Sequence, residues 1–363
     1  MRSRPRRRWL RRLAAVFLVL LVAGAAPILY VETQCVGRLE KAASDYKPIL
    51  PPEHRRNLVD TYLTYPEWSI VHAYEDFAGV LRRESESRFP YLDSILGYWR
   101  NLCDIAAVAD SHGTISTEVR VMLYTIGLSF TGEMGVKGLY ESTIGRLTEW
   151  IRGPQRTAED EFALRVATEY AVFLRQTPWY EFPFGETLGR FWSEMPLTGG
   201  SLVRKIERRI ALSLEFGVKS FYARAIGFGA GLAPAALTIR SVVTGIENLE
   251  ADPGAGIKLI KRLPDGATII ETPRYRAFTE IARGLAGRGG DFVEIAGNDE
   301  IFVTVLAPAP FAPKSAARQL LSIPSGARPG WTRLGFTVAI ADLTGLMREA
   351  KQQGAEFEHV YDY

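Results

Sequence analysis

Cysteine and histidine are scarce in this chain. Its 363 residues hold two cysteines, Cys35 and Cys103, and four histidines, His54, His72, His112 and His359. They form no CxxC pair, no HExxH and no histidine pair at ligand spacing, which excludes the common zinc and dithiol motifs. No GxxxxGK[ST] phosphate loop and no GxSxG nucleophile elbow occurs. The run Gly227-x-Gly229-x-Gly231 does not have dinucleotide-binding spacing, and no strand is predicted before it. Catalytic residues, metals and cofactors are therefore assigned to none of these positions, and the balance leans away from an enzyme. Positive charge is also scarce beyond the N-terminus. Seven arginines (Arg2, Arg4, Arg6, Arg7, Arg8, Arg11 and Arg12) stand in the first twelve residues, and without them the formal net charge drops from +3 to −4. A mildly acidic body argues against a nucleic-acid partner, which needs a basic surface.

What is abundant is apolar and aromatic. Hydrophobic residues make up 47% of the chain, with 18 Phe, 15 Tyr and 7 Trp, enough to build cores in about two domains. Residues 1–12 are a basic flank, and Leu13–Val31 then runs nineteen residues without a charge. At ~1.5 Å per residue a helix of that length crosses a hydrocarbon core of ~30 Å. Arginines before it and Glu32 after it orient a single-pass anchor in the cell inner membrane, with the bulk on the periplasmic side. The alternative is a cleaved signal peptide with Ala23-Gly24-Ala25 as its site, preceded by the twin-arginine-like Arg6-Arg7-Arg8. Apolar residues continue past that site to Val31, which favours a retained anchor. In an oxidising compartment Cys35 and Cys103 either form a disulfide or remain two thiols; spacing alone does not decide.

The middle of the chain repeats itself. EMGVKGLYESTIG (Glu133 to Gly145) and EFGVKSFYARAIG (Glu215 to Gly227) agree at seven of thirteen positions, 82 residues apart. Upstream, Leu81-Arg82 corresponds to Leu174-Arg175, Phe89-Pro90 to Phe182-Pro183 and Trp99 to Trp192, now 93 residues apart. The first copy therefore holds eleven extra residues between its blocks, about three helical turns. We read residues 45–250 as a mainly helical domain with an internal duplication, 66–145 and 159–227. Each copy is expected to run helix, aromatic Pro-containing break, helix, because proline disfavours helix in the residue before it.

On a helix Glu133, Lys137 and Tyr140 share one stripe, as do Glu215, Lys219 and Tyr222. The spacing suits ion pairs along the helix or, if two stripes meet in a buried cavity, acid–base chemistry. Gly135, Gly138, Gly145, Gly217 and Gly227 lie away from that stripe. Glycine inside a helix costs about 0.5–1 kcal/mol relative to alanine, so these positions are expected to mark a close approach of the two helices to each other or to equivalent neighbours. His72 with Glu75 and Asp76, and Asp110-Ser111-His112, are further polar groupings. Ala225–Ile239 is fifteen uncharged residues, short for a span and suited to a buried or interfacial helix.

After residue 250 strand-type runs alternate with two helical ones. The pattern predicts a ferredoxin-like domain over 257–363 with a hairpin around Asn298-Asp299. The fold class expected is α+β: an N-terminal transmembrane helix, a duplicated mainly helical domain and a ferredoxin-like domain. TYLTYPEWSIVHAYEDFAGVL (Thr61 to Leu81) and ERRIALSLEFGVKSFYA (Glu207 to Ala223) resemble a family of bacterial membrane-anchored proteins with no assigned function. The resemblance implies a membrane anchor and no activity or site. The functional expectation is a binding or assembly platform for an envelope protein or lipidic ligand, and the alternative an enzyme using the paired stripes.

Overall fold

The computed structural model describes residues 4–42, 45–196, 198–227, 237–246, 256–308 and 310–363; the side chains of 4–8, 10, 13, 16–21, 23 and 227 lie outside that description. The first element is one helix, α1 (Arg4–Gln34). It contains the predicted anchor, much of whose side-chain surface is outside the described residues. Among the described residues no helix is long and apolar enough to cross a membrane. Most of Ala225–Ile239 and of residues 251–256 is likewise undescribed.

The helical part continues with α2 (Val59–Leu63), α3 (Tyr65–Arg83), α4 (Tyr91–His112), α5 (Thr117–Tyr140), α6 (Arg146–Arg152), α7 (Ala158–Leu174), α8 (Phe184–Glu194) and α9 (Leu202–Gly227). Local chemistry sets their ends. Pro66 sits in the first turn of α3, where a missing N–H costs nothing. The Ser116 hydroxyl accepts from Val119 N at the start of α5. Thr157 and Asp160 form a reciprocal capping box on α7. A π-turn, Glu141–Gly145, joins α5 to α6. Gly153 ends α6 at φ 77°, a conformation that favours glycine.

Residues 65–152 and 158–227 run through the same succession: a helix (α3, α7), a 3-10 turn (Glu86–Arg88, Trp179–Glu181), a helix opened by Pro90 or Pro183 (α4, α8), and a long helix (α5, α9). The eleven additional residues of the first copy lie in its second helix: α4 has 22 residues and α8 has 11. Packing repeats as well. Phe77, Phe89 and Tyr91 touch in series at 5.2 and 4.9 Å between ring centres; Tyr170, Phe182 and Phe184 do so at 4.9 and 4.8 Å. Trp99 Nε1 donates to Thr131 Oγ1 (2.9 Å) and Trp192 Nε1 to Ser213 Oγ (3.1 Å).

Two predicted features need correction. The glycine faces do not join the halves: a Cβ on Gly135 or Gly217 would meet open space. Gly138 does mark a close approach, with a would-be Cβ 2.7 Å from Tyr91, but that ring belongs to α4. Gly145 is filled by the Glu141 carboxylate, and the surroundings of Gly227 are undescribed. A missing side chain is compatible with contact and with exposure alike, and sequence does not separate the two.

The C-terminal part is α+β but not ferredoxin-like. It comprises β1 (Thr238–Thr244), β2 (Lys258–Arg262), β3 (Thr268–Pro273), α10 (Arg276–Gly287) and β4 (Asp291–Ile295). The same βββαβ order follows in β5 (Glu300–Pro308), β6 (Ala317–Pro324), β7 (Trp331–Ala339), α11 (Leu343–Gln352) and β8 (Glu356–Tyr361). These build two four-stranded antiparallel sheets, ordered β2-β3-β1-β4 and β6-β7-β5-β8, so this region also repeats a topology. The strand content therefore begins near 238, not 257, and inside the stretch assigned to the helical domain. Two strands, TIRSVVT and ARQLLSIP, were not anticipated; the first adjoins a glycine- and alanine-rich apolar run that masks its period. The expected hairpin at Asn298 is a crossing point: β4 and β5 enter different sheets, turned by Ala296 and Gly297 at φ 50° and 83°. Helices α10 and α11 bury Phe278, Leu285 and Leu346 against both sheets.

Helices α2 and α3 lie on the second sheet. Thr61 Oγ1 accepts from Phe302 N (3.1 Å) and donates to Tyr361 O, and Tyr65, Phe302 and Tyr361 pack edge to face. Gly79 is required here, since a Cβ would collide with the Ala327 backbone. Cys35 and Cys103 form a disulfide that ties the end of α1 to α4.

Candidate functional site

The two Glu-Lys stripes face each other across a seam between α5 and α9. Lys137 Nζ donates to both Glu215 oxygens at 3.1 and 3.0 Å, and Lys219 Nζ lies 2.7 Å from Glu133 Oε1. The pairing is reciprocal: each copy's glutamate takes the other copy's lysine. Four residues along α5 match four along α9 in the opposite sense, so the helices run antiparallel about a pseudo-twofold axis. Lys219 also sits 3.4 Å from its own-helix partner Glu215. Each ammonium lies against rings: Lys137 is 4.4 Å from the Phe77 ring centre, and Lys219 is 5.0 Å from that of Tyr170, the equivalent residue. Tyr74 Oη donates to Glu133 Oε1 (2.6 Å). Burial alone would raise the Glu215 carboxyl, but Lys137 and Lys219 reverse that and hold it down to about 2.

The tyrosines depart from the symmetry. Tyr140 Oη donates to Glu207 Oε1 (2.6 Å), whereas Tyr222 stacks on Trp179 at 5.3 Å and is partly exposed. The structure thus brings Glu133, Lys137, Glu215 and Lys219 into one group, places Tyr140 next to it and leaves Tyr222 outside.

A second ionic cluster continues the seam. Arg204 and Arg208 are each 1% exposed. Arg208 donates from Nη1 to Glu86 (2.6 Å), from Nη2 to Glu141 (2.8 Å) and from Nε to Glu207 (2.9 Å). Arg204 donates to Asp160 (2.9 Å), Glu207 (3.0 Å) and the Gly145 carbonyl (3.1 Å). Buried charges persist only when paired and hydrogen-bonded, and here every guanidinium is. Of the carboxyls around Arg208, Glu141 is pushed up by burial and by the neighbouring Glu86 charge. The π-turn carries Glu141 into this cluster. Sequence reasoning missed Arg204, Glu207 and Arg208. The available signal was RKIERR at 204–209, five charges in six residues flanked by apolar Leu202, Val203 and Ile210.

A third group lies between α3 and the second sheet. His72 Nδ1 is 3.3 Å from Glu75, and His72 Nε2 is 3.7 Å from Glu358. Among the described residues these three are the one set of donors, all within 4.8 Å of one another, that could hold a metal ion. Arg333 already occupies that role: it binds Glu358 through Nε and Nη2 (2.7 and 2.8 Å) and stands 3.6 Å from Glu75. Burial opposes ionisation of Glu358, but His72 and Arg333 hold its carboxyl well below the ordinary range. His359, whose ring is tilted against Trp68 at 3.8 Å between centres, is lowered to about 3, chiefly by burial, with His72 adding to it. Asp76, expected with His72, instead accepts from Ala327 N (2.8 Å). Asp110 accepts from Gly37 N (3.1 Å) while His112 faces Glu300 at 3.2 Å, so that triplet serves two separate contacts.

No family model, curated protein or solved structure matches this chain.

Proposed function

We propose that this is a bacterial inner-membrane protein, held by a single N-terminal pass, whose periplasmic bulk is a rigid platform for binding or assembly with an envelope protein or a lipidic ligand. The observation that carries this reading is the reciprocal quartet Glu133–Lys219 and Lys137–Glu215. The residues best suited to acid–base chemistry are spent on one another, each ammonium bound to a carboxylate and covered by a ring. An enzyme would need at least one of them turned toward a substrate, so the enzymatic alternative is not adopted. The basic flank and uncharged run at 1–31 support the anchor. The disulfide supports an oxidising compartment, because cytosolic thiols are kept reduced.

The test is native purification of the full chain from bacterial membranes in mild detergent, with mass spectrometry of the intact particle. A protein or phospholipid retained at fixed stoichiometry is the expected result. A monomer carrying neither overturns the platform reading.

A further inference from the structure

The two longest helices of the duplication bury Phe130, Met134, Leu212 and Phe216 and yet turn a second apolar side outward, with their paired charges kept inside. On α9 all seven charged residues from Arg204 to Lys219 are buried or half-buried, and none is exposed. What α9 shows outward is Leu202, Ile206, Ile210, Leu214, Val218 and Phe221, the last 78% exposed. Its uncharged outer face covers 202–222, twenty-one residues or about 31 Å. Along α5 and the π-turn no exposed position from Val121 to Gly145 carries a charge, a band of about 37 Å. Val136, Leu139, Leu147 and Trp150 stand out from α5 and α6, Trp150 by 79%. With a helix about 10 Å across, the two bands together exceed the ~300–600 Å² of the largest apolar patch on an ordinary monomer.

We propose that this outer face of α5–α6 and α9 is seated in the bilayer, with its side chains among the acyl chains just below the headgroups. Three features favour lipid over a protein partner. The face is continuous with the predicted anchor: Glu32 of α1 binds Arg120 (2.6 Å) and Tyr124 (2.6 Å) on α5, and Gly24 of α1 lies next to Leu128. Residues 24–32 of α1 thus run against 120–128 of α5 in the opposite sense, which brings the end of the predicted anchor to the start of the uncharged band. Two of the hydroxyls on the face are turned back into their own helix, Ser142 to Gly138 O (2.6 Å) and Thr143 to Leu139 O (2.7 Å), an arrangement that suits an apolar phase better than a protein interface with about one hydrogen bond per 100–200 Å². Exposed Arg146 and Arg224 stand at opposite ends of the stretch where the two bands lie side by side, placed for anionic headgroups. The helices pointing elsewhere keep water-facing charge, as Glu186 and Arg190 do on α8.

The inference rests on the membrane reading above through α1, and one preparation separates the two. The full chain, its disulfide intact, is given a nitroxide at Leu139→Cys, Leu214→Cys or Val218→Cys, or at Glu186→Cys or Ser193→Cys as water-facing positions, and reconstituted into phosphatidylethanolamine–phosphatidylglycerol vesicles. Collision with oxygen and with a water-soluble nickel chelate is then measured. The expected result is oxygen access with nickel exclusion at 139, 214 and 218, and the reverse ratio at 186 and 193. Nickel access at the three test sites overturns the inference, as does shielding from both reagents, which would mean a second copy or another protein covers the face. Retention of the chain by vesicles in alkaline carbonate reads the anchor alone, so a retained chain with nickel-accessible test sites sinks this inference and leaves the anchor standing.

Discussion

At the scale of the residue, the decisive fact about Lys137 and Glu215 is that each is the other's counter-charge inside a half-closed seam. Removing one partner of a buried pair costs about 3–5 kcal/mol, because the survivor stays desolvated and unpaired. Lys137→Met and Glu215→Gln are each expected to destabilise the chain by about 3 kcal/mol, toward the low end because Lys219 remains near Glu215. The double variant should cost clearly less than the sum, with a coupling of about 0.5–3 kcal/mol in urea unfolding of the detergent-solubilised chain. Additive losses would mean that the pair is incidental. A pH arm follows from the same residue. The Glu215 pKa lies below its unfolded value, so its contribution is complete above about pH 4.5 and is lost as pH falls toward 2. Glu215→Gln should flatten the acid limb of the stability curve in that window. The stripe itself was legible in the residue spacing. Its partner was not, because spacing along one helix says nothing about what lies across from it.

At the scale of the element, glycines divide by surroundings. Gly135 is on an exposed helix face with open space around it, so Gly135→Ala should stabilise α5 by about 0.5–1 kcal/mol. Gly138→Ala places a methyl 2.7 Å from the Tyr91 side chain, inside van der Waals contact, and should destabilise by about 1–3 kcal/mol. Thermal unfolding of both variants checks the pair; equal shifts would remove the distinction. The helices themselves, their Pro-led starts and the three-turn difference between copies could be read from sequence, since capping, proline and offset are local signals. β1 and β6 escaped, as did the assignment of β4 and β5 to separate sheets, because strand partnership is settled by contacts remote in the chain.

At the scale of the whole molecule, the Cys35–Cys103 bond joins the end of the predicted anchor to the body across a sequence separation of 68. Loops of that size gain several kcal/mol from a crosslink, and loss of a native disulfide typically costs about 2–5 kcal/mol. Cys35→Ser/Cys103→Ser should therefore lose about 2–5 kcal/mol of unfolding free energy in a denaturant titration, and alkylation of the unreduced wild-type chain from cells should modify neither cysteine. Free thiols in freshly isolated protein would contradict the periplasmic placement.

From residue order alone came the charge asymmetry of the N-terminus, the doubled helical text, the candidate cysteine pair and the α+β class. These are properties of composition and local period, which survive without a folded context. Tertiary structure alone decided which face of each helix turns inward. A helix with one charged and one apolar face is equally compatible with either orientation, and the usual assumption buries the apolar one. In α5 and α9 the charges find partners across a pseudo-twofold seam, beside buried Phe130, Met134, Leu212 and Phe216, and a further apolar side is left facing out. Only the juxtaposition of two copies makes that arrangement energetically tenable, and neither copy's sequence contains the other's position.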